Sequence, residues 1–111
     1  MLSRTHRLTD PDSFRVAVRQ GRRAGTSRLV VHLWHGDGLD PARIGFVVSK
    51  AVGPAVVRNR VKRRLRHLAR ELLRDLPGSA VLVVRANPAA AEATYQELGA
   101  DLGRCVQRVM S

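Results

Sequence analysis

The densest group of ligand-binding side chains in the sequence lies in residues 58–66, which read RNRVKRRLR. This segment holds six cations and one amide, and as far as Arg74 only Glu71 interrupts the basic surface. Like charges one helical turn apart repel by a few tenths of a kcal/mol each, so an ordinary solvated face would carry compensating glutamates. Guanidinium groups pair with phosphates, and the amide of Asn59 can bind a base edge or a 2′-hydroxyl. The segment therefore predicts a nucleic-acid-binding surface.

The sequence offers few groups for chemistry of its own. Its nine acidic residues show no spacing typical of a paired general acid and base, and none falls in residues 58–66. No glycine-rich phosphate loop is present, and Cys105 falls on an apolar helix face, as a core residue does. The four histidines have no Cys or His partner at the spacing of a metal site; they are His6, His32, His35 and His67. The pattern indicates a binding protein without catalytic residues.

The charge of the chain points to a polyanionic partner. Twenty Lys and Arg stand against nine Asp and Glu in 111 residues, and the whole excess of +11 comes from residues 1–27 and 50–75. A hydrophobic fraction of 44% is too high for a disordered basic tail. The single cysteine suits a reducing compartment, and no signal peptide or membrane span is apparent. We therefore expect one folded domain over residues 1–111 that is cytoplasmic and does not contact a membrane.

A long helix must position the basic side chains. From Val57 to Leu76 apolar residues recur at every third or fourth position, which is the pattern of an amphipathic helix of about five turns. Arg60 and Arg64 fall on one flank of this helix. The side chains opposite the apolar stripe are Asn59, Lys62, Arg63, Arg66, Arg70 and Arg74.

The elements before this helix are predicted from proline and glycine signals and from alternating apolar residues. Asp10 and Pro11 have the sequence of a helix start, and Gly21 marks the end of that short first helix. Residues 29–34 and 44–48 are rich in β-branched and aromatic residues, with a Gly- and Pro-containing turn between them. We expect these two runs to form a hairpin.

The elements after the basic helix are one strand and one more helix. Residues 80–84 form an apolar run typical of a buried strand, and Asn87-Pro88 lead into a final amphipathic helix. Tyr95 on that helix is expected to place its ring in the core and its hydroxyl at the surface. The order is helix, strand, strand, helix, strand, helix, and residues 24–28 leave room for one further strand.

Residues 45–63 closely resemble the protein subunit of bacterial ribonuclease P. The matching string is GFVVSK at residues 45–50 followed by GPAVVRNRVKR at residues 53–63, an ordered combination that is highly specific. Weaker matches extend over nearly the whole chain, at Arg7, Leu8, Phe14, Gly21, Arg43, Gly45 and residues 87–95.

The resemblance implies a protein that assists a catalytic RNA. In this family the RNA component performs a Mg²⁺-dependent hydrolysis that removes the 5′ leader of precursor tRNA, and no obligate protein partner is expected. The resemblance also implies a single α+β domain, a two-layer sandwich of about four strands and three helices. Its strand–helix–strand crossover around the basic motif is expected to be left-handed, against the usual rule. The residues implied to face the ribonuclease P RNA are Arg58, Asn59, Arg60, Lys62, Arg63 and Arg66.

The resemblance places the single-stranded leader in a cleft between the first helix and the sheet. Phe14 is either a stacking surface for a base there or a core anchor of the first helix, and one ring can do both. Family members carry aromatic residues where this chain has Val18 and His32, so stacking at these two positions departs from the family pattern. Ala51 likewise replaces a cation, and His67 a glutamate. The residues expected at the leader are Phe14, Val18, His32, Ser49 and Lys50.

Three other functions share the charge pattern. A ribosomal or general RNA-binding protein would need the same basic surface but would not require the ordered motif. A DNA-binding module would insert the basic helix into a major groove, which is harder for a helix whose apolar stripe is buried on a sheet. An amphipathic membrane helix would favour Trp or Phe on its buried face, where this chain has Val and Leu.

Overall fold

The computed structural model describes residues 6–36 and 40–111. Within these residues three helices and four strands follow one another, and two short 3₁₀ turns cover Lys50–Val52 and Pro88–Glu92. The helices and strands are α1 (Pro11–Gln20), β1 (Arg22–Gly25), β2 (Leu29–His35), β3 (Arg43–Val48), α2 (Ala55–Leu72), β4 (Ala80–Ala86) and α3 (Tyr95–Met110). The predicted α+β class with four strands and three helices is confirmed. The optional strand near residues 24–28 begins earlier, at Arg22.

The four strands form one mixed sheet in the order β1-β2-β4-β3. β2 pairs antiparallel with β1 and β4, whereas β3 pairs in parallel with β4. The predicted hairpin between residues 29–34 and 44–48 is therefore wrong, because β4 lies between the two strands. Residues 37–39 of the expected turn lie outside the described residues. β3 reaches β4 through α2, as the resemblance implies, and the hand of this crossover stays a prediction.

β4 takes the central place because both of its faces are apolar and buried. Val81 and Val83 pack in a core with Ala17 of α1, while Leu82 and Val84 pack in a second core beneath α2 and α3. A strand covered on both faces reads as a nearly continuous hydrophobic run, which β4 does. Helix α1 thus adds a layer to the two that were expected, and the sheet carries helices on both faces.

Helix α2 is held on the sheet by the predicted apolar stripe. Val61, Leu65 and Ala69 are fully buried, and Leu68 and Leu72 pack against the same core at its margin. The helix spans 18 residues, the five turns expected from the spacing. In the part of the chain that the structure describes, no helix is both long and apolar enough to cross a membrane.

Side-chain caps fix the N-terminal ends of helices α1 and α3. Asp10 accepts a hydrogen bond from the backbone N–H of Asp12, and Pro11 occupies the first turn. Thr94 and Glu97 form a reciprocal capping box at the start of α3. Tyr95 follows this cap and is 36% exposed, so the expectation that its ring lies in the core is wrong. The ring lies beside α2 instead.

Helix α3 is tied to the turn between β1 and β2 by a charged cluster. Arg28 donates to Glu97 Oε2 at 2.7 Å and to Asp101 Oδ2 at 3.2 Å. Thr26 Oγ1 donates to the same oxygen of Asp101 at 3.2 Å, and the Asp101 side chain is buried. A buried carboxylate needs such partners, so this cluster orients α3 on the sheet.

Candidate nucleic-acid interface

The side of α2 that faces away from the sheet is cationic. We call it the α2 outer face, and it consists of the exposed residues Asn59, Arg63, Arg66 and Arg70, with the exposed Arg74 just past the end of the helix. Lys62 is half-buried at its margin. Of these, Asn59, Arg63 and Arg66 line a cleft of about 370 Å³ together with Lys62 and His67, which we call the α2 cleft. The structure therefore brings together four of the six residues that the resemblance assigned to RNA.

Two flanking arginines of α2 are used within the fold. Arg60 donates to the carbonyl oxygen of Ala91 at 3.1 Å, and Arg64 donates to that of Ala93 at 3.0 Å. Both carbonyls belong to the segment that leads into α3. The Nε atom of Arg60 is buried and has no partner within residues 6–36 and 40–111. Arg60 and Arg64 therefore fasten α2 to this segment, and only part of the Arg60 guanidinium is free for a ligand.

Arg58 is also partly engaged by its own chain. Its Nε donates to the carbonyl oxygen of Gly53 at 3.1 Å, just before α2 begins. Gly53 has a φ of 153°, in the region that disfavours side chains, and an added Cβ would lie 3.2 Å from the side chain of Val57. The hydrogen bond thus fixes a bend that only glycine adopts easily. Within the Arg-Asn-Arg motif the exposed residue is the uncharged Asn59, and the exposed cations of α2 come after the motif, at Arg63 and Arg66.

A second cleft lies on the opposite side of the sheet, between α1 and the strands β3 and β4. We call it the α1 cleft; its volume is about 320 Å³. Phe14, Val18 and Val47 supply apolar surface, and three arginines surround it. Val18 is 37% exposed, whereas Ala17 beside it is fully buried. The full lining is Pro11, Phe14, Arg15, Val18, Arg19, Val47 and Arg85.

Phe14 is both part of this cleft and packed against the sheet. Its ring lies over Gly45, where an added Cβ would come within 2.3 Å of Phe14 Cζ and 3.0 Å of Leu8 Cδ2. The side chain is half-buried and belongs to the smaller core under α1. The position of Phe14 is therefore compatible with both of the roles that the sequence left open. Its ring anchors α1 on the sheet, and part of the ring lines the cleft.

His32 lies beneath the surface instead of in the cleft. It is 5% exposed and does not line the α1 cleft. Burial lowers the pKa of His32, and the positive charges of Arg85 and Arg23 lower it further. Its Nδ1 is buried without a hydrogen-bond partner among the described residues. The expected contact of His32 with the leader does not fit this packing, because a buried, neutral imidazole offers no open face to a base.

Ser49 and Lys50 lie at the end of β3. Both side chains are exposed, and Ser49 precedes the 3₁₀ turn that Lys50 begins. Val47, two residues earlier, lines the α1 cleft. The structure thus places Ser49 and Lys50 just past one end of the cleft, as exposed polar groups near its opening.

Arg85 and Val47 were missed by the sequence analysis. They are directly opposite each other in the parallel pair of β3 and β4, and both face α1. Arg85 is exposed, although it lies in an otherwise apolar strand. That single charge within a buried run was the available signal, because an arginine there must reach solvent at the rim of a cleft. Val47 carried no such signal.

A third cleft connects the two surfaces around the edge strand β3. Phe14 lines it as well as the α1 cleft, while Lys62 and Arg66 line it as well as the α2 cleft. Its volume is about 300 Å³, and Arg7 and Phe46 complete its charged and aromatic surface. The N-terminal segment runs along this edge, where Leu8 N–H donates to the carbonyl oxygen of Ile44 at 3.0 Å. Aromatic and cationic groups therefore extend from α1 around β3 to α2.

Neither surface has the chemistry of a magnesium site. Mg²⁺ binds oxygen ligands, above all carboxylates, whereas the clefts described above are lined by arginines and lysine. Across residues 6–36 and 40–111, no three His, Cys, Asp or Glu side chains are grouped so that they could hold a metal ion. The described residues thus do not fit a protein-bound Mg²⁺, and the arrangement is suited to binding phosphates and bases.

Comparison with known proteins identifies the family. A family model for Ribonuclease P matches residues 2–110. The ribonuclease P protein component of Nocardioides sp. is 64% identical over 111 residues, covering 98% of this chain and 95% of the relative. That of Streptomyces griseus is 50% identical over 118 residues, covering 99% and 96%.

Solved structures show that the fold is shared. The RNase P protein of Staphylococcus aureus superposes with a TM-score of 0.82 at 23% identity, over 96% of this chain and 98% of that one. The RNase P protein of Thermotoga maritima gives a TM-score of 0.78 at 23% identity, over 93% and 96%. From the family match, the close relatives and the fold together, the chain belongs to the family of bacterial ribonuclease P protein components, which act in tRNA 5′-leader processing.

Proposed function

We propose that this chain holds two RNAs in the ribonuclease P holoenzyme: the RNA component on the α2 outer face, and the single-stranded 5′ leader of precursor tRNA in the α1 cleft. The observation that carries the proposal is the presence of two cationic clefts on opposite sides of one sheet. α1 packs on one face and α2 on the other, so each RNA can bind without displacing its neighbour.

The α2 outer face suits a large folded RNA. Its arginines are exposed, and within residues 6–36 and 40–111 none of them forms an ion pair. Glu71 lies one turn beyond His67. A protein that neutralises phosphates releases condensed counterions, which makes binding strong and salt-dependent. Asn59 adds a donor and an acceptor for a base edge or a 2′-hydroxyl. Arg58 and Arg60 contribute to this contact through those guanidinium N–H groups that do not donate to Gly53 or Ala91.

The α1 cleft suits a single strand. Phe14, Val18 and Val47 offer apolar surface to bases, and Arg19 and Arg85 are placed to follow a phosphate backbone. Sequence-tolerant binding of this kind is what a leader of variable sequence requires. Ser49 and Lys50 extend the contact past the end of β3.

Hydrolysis in this proposal is performed by the RNA. The residues that line the three clefts described above supply phosphate-binding and stacking groups and include no carboxylate for acid–base work. In this proposal Mg²⁺ is a cofactor of the RNA component, where it would supply Lewis-acid chemistry. The work takes place in the cytoplasm, where the buried thiol of Cys105 stays reduced.

Reconstituted cleavage tests the proposal. The cognate ribonuclease P RNA is incubated with a precursor tRNA at low millimolar Mg²⁺, with and without this protein, under multiple turnover. We expect cleavage at the mature 5′ end to be stimulated strongly by the protein, because phosphate neutralisation replaces part of the Mg²⁺ requirement. The same RNA at high Mg²⁺ without protein is the control that shows it is folded and active.

The double variant Arg63→Ala/Arg66→Ala is the matched protein control, because these exposed side chains can be removed without disturbing the core. It should stimulate cleavage less than the unaltered chain at the same concentration. A folded protein that binds RNA and yet gives no stimulation would contradict the proposal and favour a ribosomal or general RNA-binding role.

A further inference from the structure

His67 and Tyr95 form an exposed aromatic pair at one end of the α2 cleft. Their ring centroids are 6.0 Å apart and the ring planes are tilted by 58°, which is within the range of favourable aromatic contacts. His67 is exposed and Tyr95 is 36% exposed, so the pair is not part of the core. His67 also lines the α2 cleft, whereas Tyr95 does not, so the contact with Tyr95 leaves part of the imidazole facing the cleft.

The imidazole stands in line with two other RNA-binding groups. Asn59, Arg63 and His67 are four residues apart along α2, so they lie on one ridge of the helix. All three line the α2 cleft, whose volume of about 370 Å³ is in the range of small-ligand sites, roughly 300–1,000 Å³. Lys62 and Arg66 line its other side. A ring, a guanidinium and an amide at successive turns match the base, phosphate and base edge of a single strand.

Contacts other than the aromatic pair also hold the segment before α3. The backbone before Tyr95 is fixed by the Arg60 and Arg64 hydrogen bonds, and α3 begins at the capping box of Thr94. Because His67 lines the cationic α2 cleft, a strand bound there would cover the imidazole. Glu71 lies on the far side of His67 and repels phosphate, so a strand would run toward Arg63.

We propose that His67, supported by Tyr95, is the stacking site for one unpaired base of the ribonuclease P RNA, with Arg63 on its flanking phosphate. This inference rests on the proposed function and names a contact within it. Stacking is worth roughly 1–3 kcal/mol per base, so loss of the ring should weaken binding by about 5- to 150-fold. Tyr95 is a positioning residue, since it acts by holding the imidazole.

Binding of the cognate RNA by four variants tests the assignment. His67→Ala should weaken binding by the factor given above, while His67→Phe, which keeps a flat ring, should retain most of it. Tyr95→Leu should weaken binding less than His67→Ala, because the imidazole remains but loses its support. His35→Ala removes another exposed histidine, at the end of β2, and should leave binding unchanged. Thermal unfolding of each variant separates loss of fold from loss of contact.

A spectroscopic readout detects the stacking itself. The proton NMR signal of the His67 ring, identified by its absence in His67→Ala, is followed while hexaadenylate is added. We expect an upfield shift, since a stacked base shields the ring, and no such shift with an abasic hexamer of the same charge.

Three results would overturn the inference. Equal RNA affinity for the unaltered chain and His67→Ala would remove the base contact while leaving the proposed function standing. Equal shifts with hexaadenylate and the abasic hexamer would assign His67 to phosphate alone. Failure of the unaltered chain to bind the cognate RNA would instead remove the proposed function, and this contact with it.

Discussion

The position of Phe14 in the α1 cleft depends on a glycine in the neighbouring strand. A Cβ at residue 45 would lie 2.3 Å from Phe14 Cζ and 2.7 Å from Cε1, so the Phe14 ring has to move if any side chain is present there. We expect Gly45→Ala to lower the free energy of unfolding by about 1–3 kcal/mol, the usual cost of overpacking. Because the displaced ring lines the cleft, affinity for precursor tRNA should fall as well. Urea denaturation and substrate binding measure the two effects.

Gly103→Ala is the matched control for this substitution. Gly103 lies inside α3, and nothing stands within 4 Å of the position its Cβ would take. This change should stabilise the chain by roughly 0.5–1 kcal/mol, since alanine favours the helix. A Gly45→Ala variant as stable as the unaltered chain would show that Phe14 is not held as tightly as its packing indicates.

His32 gives the chain a dependence on pH. Burial, together with Arg85 and Arg23, lowers the pKa of His32 from its ordinary 6.5. The unfolded chain then takes up a proton near pH 6.5 that the folded chain does not, so stability falls as the pH drops through 6.5 toward the lower folded pKa. We expect His32→Gln to show a flatter stability profile between pH 7 and about 5, measured by thermal unfolding.

The two carboxylates with a lowered pKa, Asp10 and Glu97, affect stability in a more acidic pH range than His32 does. Hydrogen bonds from Ser13 and the Asp12 backbone lower the pKa of Asp10 from 3.8, and a hydrogen bond from the Thr94 backbone with the charge of Arg28 lowers that of Glu97 from 4.5. Their contributions to stability are lost at lower pH than that of His32. The variant His35→Gln changes an exposed histidine and should keep the slope of the unaltered chain; the same slope in His32→Gln would contradict this account.

Residue types alone could predict the basic surface but not which arginines are free. The spacing correctly placed Asn59, Arg63 and Arg66 on the exposed side of α2. It could not show that Arg60 and Arg64 reach backbone carbonyls beyond β4, because those contacts span about thirty residues of sequence. Arg85 was missed for a related reason: its neighbours in space come from α1 and β3.

The two sides of α2 should respond differently to loss of charge. Arg63→Ala removes an exposed cation, so unfolding should change by less than about 0.5 kcal/mol. A plot of log K against log salt for RNA binding should become less steep by about the amount that one phosphate contact contributes. Arg64→Ala removes the bond to Ala93 and should cost about 0.5–1.5 kcal/mol of stability. Denaturation and salt titrations of both variants decide whether the two roles are separate; equal loss of stability would show that they are not.

Local sequence predicted the helices well and the strand pairing poorly. α2 and α3 follow from their apolar spacing, and α1 from its Asp10-Pro11 start, because these signals act within a few residues. The order of the sheet depends on which strand is apolar on both faces. β4 has that property and separates β2 from β3, although it lies more than thirty residues after the latter begins. The hairpin was predicted because β2 and β3 are consecutive in sequence, but the two strands are not neighbours in the sheet.

Across the whole molecule, the excess charge is divided between two sides of one sheet. Among the described cations, Arg15 and Arg19 line the α1 cleft, Lys62, Arg63 and Arg66 line the α2 cleft, and the third cleft lies between them at the edge strand β3. The composition predicted a polyanionic partner, and the resemblance supplied the idea of two RNAs. The structure adds that the third cleft shares Phe14 with the α1 cleft and shares Lys62 and Arg66 with the α2 cleft. A continuous strip of aromatic and cationic groups thus runs between the two proposed sites.

If the two clefts bind different RNAs, a substitution in each cleft should affect binding of a different RNA. The affinities of the reconstituted holoenzyme for precursor tRNA and for mature tRNA are compared in the variants Arg85→Ala and Arg63→Ala. Arg85→Ala should reduce affinity for the precursor alone, while leaving assembly with the RNA component intact. Arg63→Ala should weaken assembly and leave the ratio of precursor to mature affinity unchanged once the holoenzyme is saturated. Equal loss for both tRNAs in Arg85→Ala, or a changed ratio in Arg63→Ala, would contradict the account.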